Sequence, residues 1–195
     1  PPLAADSLTY HAVKAAMWVQ NGHGSLIEAP GGWFNYRTYP GGAELFHAFG
    51  MLPFHSDFLI SLVDFVQWLA LMVALFFFGR CIGLRRKSCL TGALFCAFLP
   101  PVVFMVGSCY AELLSALALV CGVAFVAKYF SLHRPAYLVL GLMSLGIAGG
   151  VKYLTYIPVC GVVALVLLHV TFRRQDRGRA FLFLGLGLLL MLAPM

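Results

Sequence analysis

Two patterns divide this 195-residue chain. From residue 58 onward, long apolar runs alternate with short polar breaks, whereas residues 1–57 mix polar, aromatic and Gly-rich stretches. A helix needs about 20 apolar residues to cross a hydrocarbon core of roughly 30 Å. By that measure six spans are expected, at 58–79, 89–107, 111–129, 136–151, 154–171 and 180–195. The fourth is short and Gly-rich (GLMSLGIAGG), and Pro100–Pro101 is expected to kink the second or set its outer end. Upstream, Leu8, Ala12, Ala15–Ala16 and Val19 recur at helical spacing, which predicts a helix over 6–21 with Asp6 as N-cap and Gly22 as its stop. A second short helix is expected over 41–54. Between them, GHGSLIEAPGGWFNYRTYPGG holds six Gly and two Pro, a composition that makes a shaped loop. With Trp18, Trp33, Phe34, Tyr36 and Tyr39 about them, the two helices are expected to lie at the headgroup level. The expected fold class is therefore all-α: a polytopic transmembrane helical bundle, one domain, with a non-cytoplasmic segment 1–57 that carries two juxtamembrane helices.

Composition agrees with that pattern. The chain is 62% hydrophobic and 10% charged, against about half apolar and a quarter charged in soluble domains. A net charge of +6 raises the question of nucleic acid. Its distribution answers it: Arg80, Arg85, Arg86, Lys87, Lys128, Arg134, Arg173, Arg174, Arg177 and Arg179, ten of the 13 basic residues, fall at every second crossing. The positive-inside rule gives those loops to the cytoplasm, so the basic excess is topology and no nucleic-acid partner is expected. Cys81, Cys89, Cys96, Cys109, Cys121 and Cys160 contain no C-x-x-C pair and read as small apolar-run residues. The start PPLAAD and the end inside an apolar run read as a fragment truncated on both sides.

The opposite face gathers acids: Asp6, Glu28, Glu44, Asp57 and Glu112, with Asp64 a little way into the first span. Lys14, Arg37 and Lys152 are the cations expected there. Chemistry is therefore expected on the non-cytoplasmic side.

Four stretches on that side, DSLTYHAVKAAMWVQNG, YRTYPGGAEL, SCYAELLSALAL and AGGVKYLTYIP, resemble the integral-membrane GT-C glycosyltransferases. The resemblance is to the bacterial branch related to protein O-mannosyltransferases and the lipid A aminoarabinose transferase (glycosyltransferase family 39-like), and it runs in order across most of the chain. It implies an enzyme that moves a sugar, with inversion, from a polyprenyl-phosphate donor to a glycan, lipid or protein acceptor. It also implies a bacterial inner (plasma) membrane location, with residues 1–57 periplasmic or extracellular, and Asp6 as the catalytic acid position. Many such enzymes carry an acid pair there, whereas this chain has Asp6–Ser7. A secondary transporter and a non-catalytic membrane scaffold are the alternatives. The first would account for the Gly- and Pro-broken spans but has no need of the long aromatic-rich outer segment, and no inverted repeat is found.

The candidate residues follow from the chemistry. Transfer to a hydroxyl requires removal of the acceptor proton, for which Asp6 is the general-base candidate beside its capping role. The leaving polyprenyl phosphate gathers negative charge, so Arg37 and Lys152 are candidates to hold it; lipid-phosphate pairing and snorkelling are the plainer readings of the two. Glu112 and Glu44 are candidates to bind the sugar or orient a cation, or else helix-start acids favoured by the macrodipole. Tyr39 is a candidate stacking residue, or part of the aromatic belt. His11 is a candidate to bind substrate; five residues after Asp6, it falls about 140° away from it around a helix and need not share its face. Asp64 suggests either intramembrane function or a helix–helix hydrogen bond. No H-x-x-x-H or H-E-x-x-H spacing supports a metal, and no cofactor is expected.

Overall fold

A computed structural model describes residues 7–24 and 39–172, together with residues 182, 184–187 and 189. Every regular element among them is helical. A π-helical turn, Ser7–His11, leads into α1, Ala12–Asn21, which Gly22 stops in the left-handed conformation (φ 71°). A Cβ would be strained there, so the glycine expected to end this helix does so for its backbone freedom. After α2, Gly42–Met51, a 3₁₀ turn at Asp57–Leu59 opens α3, Ile60–Cys81.

The stretch 89–107, expected as one span, is instead two helices: α4, Arg86–Ala97, and α5, Pro100–Met105. The reason lies at Leu99, which is extended (ψ 134°). A residue before proline is pushed out of the helical region, and neither Pro100 nor Pro101 has an N–H to continue the ladder. Next come α6, Ala111–Leu132, and α7, Pro135–Val151. A 3₁₀ turn, Tyr153–Thr155, then starts α8, Tyr156–Phe172. Among the described residues, three helices are long and apolar enough to cross a membrane: Asp57–Cys81, Ala111–Leu132 and Tyr153–Phe172. The chain is thus a membrane protein, all-helical among its described residues. The loop centred on residues 25–38 and most of the expected span 180–195 lie outside the described residues.

Helices α3 and α6 run parallel, with Phe77 and Phe125 in ring contact at 5.7 Å near their far ends. Helix α7 returns antiparallel along α6 through the tight turn at His133 and Arg134. Fully buried Leu138, Leu142 and Leu145 of α7 pack with Val126 of α6 and Val159, Val166 and Val170 of α8. Elsewhere the apolar side chains point outward: Leu62, Val66, Leu69 and Val73 of α3 are all exposed. In water such a face would be a liability; in hydrocarbon it is the ordinary surface of a span.

The starts of α3, α6 and α8 and the end of α7 meet at one end of the bundle, and α2 lies across it. Ala43 of α2 packs with Ala111 and Leu114 of α6 and Val151 of α7. Contact there is backbone to backbone, since a Cβ built on Gly42 would stand 2.7 Å from the Gly150 carbonyl oxygen. The strongest anchor is Asp64, fully buried in α3. One carboxylate oxygen accepts from His47 Nε2 of α2 at 2.9 Å, and the other accepts the Cys109 N–H at 2.8 Å. Asp64 is therefore the helix–helix bond that the sequence left open as one of its two readings. It holds together α2, α3 and the turn that precedes α6, in which Gly107 (φ 79°) and Cys109 (φ 56°) are both left-handed.

Three substitutions test this end of the bundle by thermal unfolding of the protein in detergent. Asp64→Leu orphans the Cys109 N–H and the His47 donor, and is expected to cost about 3–5 kcal/mol. Asp64→Asn keeps one acceptor and should cost less, about 1–3 kcal/mol. Gly42→Ala must push α2 off α7 and should cost about 1–3 kcal/mol. By contrast, Gly92→Ala, with nothing within 4 Å of the new methyl, should be neutral or stabilise by about 0.5–1 kcal/mol.

Candidate functional site

The capped end of the bundle holds a cleft of about 210 Å³. It opens between the Ser7–His11 turn, the segment entering α2, the start of α6 and the end of α7. Its polar lining is His11, Glu112 and Lys152, and its aromatic lining is Tyr10, Tyr39 and Tyr153. Two smaller hollows, one beside Trp18 and Leu45 and one beside Gln20 and Asp57, bring no such acid–cation set together.

Lys152 stands where α7 stops. Its backbone is extended (φ −148°, ψ 120°), which turns the chain out of the helix axis. The Thr155 hydroxyl lies 2.8 Å from the Ala148 carbonyl and 2.6 Å from that of Lys152, so the break is tied at both sides. The Lys152 ammonium donates to Glu112 Oε1, which the first turn of α6 presents. Both side chains remain about one-third exposed. The second oxygen, Glu112 Oε2, is buried and has no hydrogen-bond partner among the described residues. A buried carboxylate oxygen left unpaired is costly.

The opposite wall carries a second pair. His11 Nδ1 lies 2.7 Å from Glu44 Oε1, with His11 nearly buried and Glu44 wholly so. Glu44 is on the face of α2 that also bears His47, three residues on, and both point into the bundle. The tyrosines line up along the cleft: Tyr10 against His11 at 4.0 Å, Tyr39 against Tyr10 at 5.5 Å, and Tyr153 stacked on Tyr39 at 6.1 Å. Tyr39 is held from behind by Lys14, whose ammonium donates to the Tyr39 carbonyl at 3.0 Å and sits 5.3 Å from the Trp18 ring centre.

Of the residues singled out from sequence, His11, Tyr39, Glu112 and Lys152 line one cleft, and Glu44 stands directly behind His11. Asp6 and Arg37 lie outside the described residues, as do Glu28, Trp33, Phe34 and Tyr36. The orientation of His11 relative to Asp6 therefore has no structural counterpart here. The pairings His11–Glu44 and His47–Asp64 were not anticipated, nor was Tyr153 in the lining. A signal existed for the first two: Glu44 and His47 are spaced i, i+3, as are Asp64 and Gln67, each a polar pair inside an apolar stretch.

Among the described residues, no group of three or more His, Cys, Asp or Glu side chains is close enough to hold a metal ion. Burial, reinforced by the nearby Asp64 and Glu44 carboxylates, pushes the Cys109 thiol well above its usual range and keeps it protonated. Comparison of the chain with protein-family models, curated proteins and solved structures gives no match. What the geometry defines is a class: a helical membrane protein with an acid–cation–imidazole cleft at one end of its bundle.

Burial also pushes the Lys14 ammonium below its ordinary value of 10.5, with Glu44 acting in the opposite sense. In alkali the folded chain thus loses this proton before the unfolded chain does. Between the two values the unfolded state binds more protons, so stability rises with pH. Melting temperature measured from neutral pH up to about pH 10.5 should carry this rising contribution in wild type and lose it in Lys14→Met.

Proposed function

We propose that the protein is a membrane glycosyltransferase that uses a polyprenyl-phosphate-linked sugar, with the cleft between α2, α6 and α7 as its donor site. The observation that carries this reading is the Lys152–Glu112 pair, set among tyrosines at the boundary of an apolar bundle. An amphipathic donor needs its phosphate and sugar in a polar site and its tail in lipid. Tyr153, Leu154 and Ile157, beside Lys152, are all at least half exposed and would border that tail. Lys152 would meet the phosphate, exchanging Glu112 for the stronger anion. Glu112, released by Lys152, would accept a sugar hydroxyl, and the tyrosine row would offer ring faces to the sugar.

Sidedness follows from charge. Arg80, Arg85, Arg86, Lys87, Lys128 and Arg134 lie at the end of the bundle away from the cleft. By the positive-inside rule that end is cytoplasmic, and the cleft opens to the periplasm or cell exterior. The departing phosphate takes the electron pair of its bond to the sugar C1, while the acceptor oxygen bonds C1 and gives up its proton. The resemblance implies Asp6 at the catalytic acid position, and Arg37 would join Lys152 at the donor phosphate.

The test uses membranes carrying the full-length protein and a radiolabelled polyprenyl-phosphate sugar. Wild type should consume the donor, and Lys152→Gln should lower kcat/KM by about 10²–10³-fold, with a smaller loss for Glu112→Gln. If correctly inserted wild type leaves the donor untouched, the reading fails and a transporter becomes the better account.

A further inference from the structure

By its spacing from Asp6, His11 is expected to bind substrate rather than to work beside the acid. The structure gives it a partner instead. We infer that His11, oriented by Glu44, is the proton acceptor of the cleft, an inference that rests on the glycosyltransferase reading above.

The argument begins with the carboxylate. An ionised carboxylate only accepts hydrogen bonds, so the contact at 2.7 Å puts the ring proton of His11 on Nδ1. In the neutral ring this leaves Nε2 as a lone-pair acceptor, and His11 is a lining residue of the cleft. Glu44 is wholly buried, so it cannot swing away, and its other oxygen has no partner among the described residues. The pair is therefore a buried carboxylate that fixes the tautomer and direction of an imidazole whose second nitrogen is left for a ligand. That is the arrangement a general base requires: one group to take the proton and one to orient it and balance the charge it acquires.

The surroundings agree. Glu112 and Lys152 face His11 from the other wall of the cleft, and the phenols of Tyr10, Tyr39 and Tyr110 stand about the ring. Behind Glu44 are Lys14 and the Cys109 thiol, whose ionisations both respond to its charge. A hydroxyl acceptor seated between the two walls would meet the base on one side and, on the other, a donor sugar anchored through Lys152. In the step, the acceptor oxygen bonds the sugar C1, the C1–O bond to phosphate breaks with its pair leaving on the polyprenyl phosphate, and the acceptor proton passes to His11 Nε2 and then to water. His11 is the catalytic residue here; Glu44, which acts through it, is a positioning residue.

The experiment follows transfer of radiolabelled sugar by the full-length protein in membranes, as kcat and KM over pH, for wild type and for His11→Ala, Glu44→Gln and Asp6→Asn. Wild-type kcat/KM should fall along an acidic limb. His11→Ala should lose about 10²–10⁴-fold in kcat, lack that limb, and recover activity when imidazole is added to the assay. Glu44→Gln keeps an acceptor for Nδ1 but no charge, and should lose kcat with KM little changed. Recovery by imidazole separates a missing base from a misfolded protein, because an added base cannot restore a lost tether. The inference is overturned if His11→Ala keeps wild-type turnover, or if imidazole restores nothing while Glu44→Gln matches wild type. It is likewise overturned if the acidic limb persists in His11→Ala and disappears in Asp6→Asn alone. Wild-type membranes that never consume the donor overturn the glycosyltransferase reading itself, and this inference with it.

Discussion

The Asp64 carboxylate is the constraint on which the capped end of this bundle depends. A charge within an apolar helix is tolerated only if both oxygens are occupied, and here each has one partner, His47 and the Cys109 N–H. Those partners come from elements far apart in sequence. By satisfying itself, Asp64 fixes the helix that carries Glu44 and the turn that launches α6 with Glu112. The left-handed turn at Gly107 and Cys109 is strained for a non-glycine residue, and the bond to Asp64 offsets that strain. Residues that line the cleft are thus positioned by one that does not reach it.

Close backbone approach does the remaining work. Gly42 meets the carbonyl of Gly150, so α2 comes down onto the end of α7 two residues before Lys152. Lower in the bundle, Gly122 of α6 and Gly141 of α7 leave so little space that a Cβ on either would crowd Leu145 or Val126. Small residues at both contacts let α6 and α7 run side by side, as membrane helices pack through dispersion rather than through the hydrophobic effect. Since Glu112 begins one of these helices and Lys152 follows the other, their meeting is a consequence of that packing.

How much of this could be read in the sequence depends on the range of the interaction involved. Local rules served well: Gly22 ends α1 where the pattern predicted, and the long apolar runs at 58–79, 111–129 and 154–171 correspond to the three helices able to span. The stretch 89–107 divides at Pro100–Pro101, the pair expected to kink it, because Pro100 and the residue before it decide whether the run is one helix. At the site, Glu112 and Lys152 were legible one by one as charges beside apolar runs, and they meet across 40 residues. The bonds His11–Glu44 and His47–Asp64 span 33 and 17 residues. Periodicity can put two side chains on one helix face, but it cannot say which residue of another helix will stand opposite.

The two histidine–carboxylate pairs, built on the same face of α2, show why similar chemistry can have different uses. In His47–Asp64 the carboxylate is fully engaged, and the one group left over is His47 Nδ1, sealed in the interior with no opening beside it. An unmet acceptor of that kind is a modest cost, and the pair can only tie helices together. In His11–Glu44 the order is reversed: the carboxylate lies deep and the imidazole lies between it and a cleft. A proton arriving at His11 would come from the cleft, and the charge it created would be balanced by a carboxylate that has an oxygen to spare. Helix α2 thus presents two like pairs at one membrane boundary, and what separates tether from candidate base is which member of each pair faces open space.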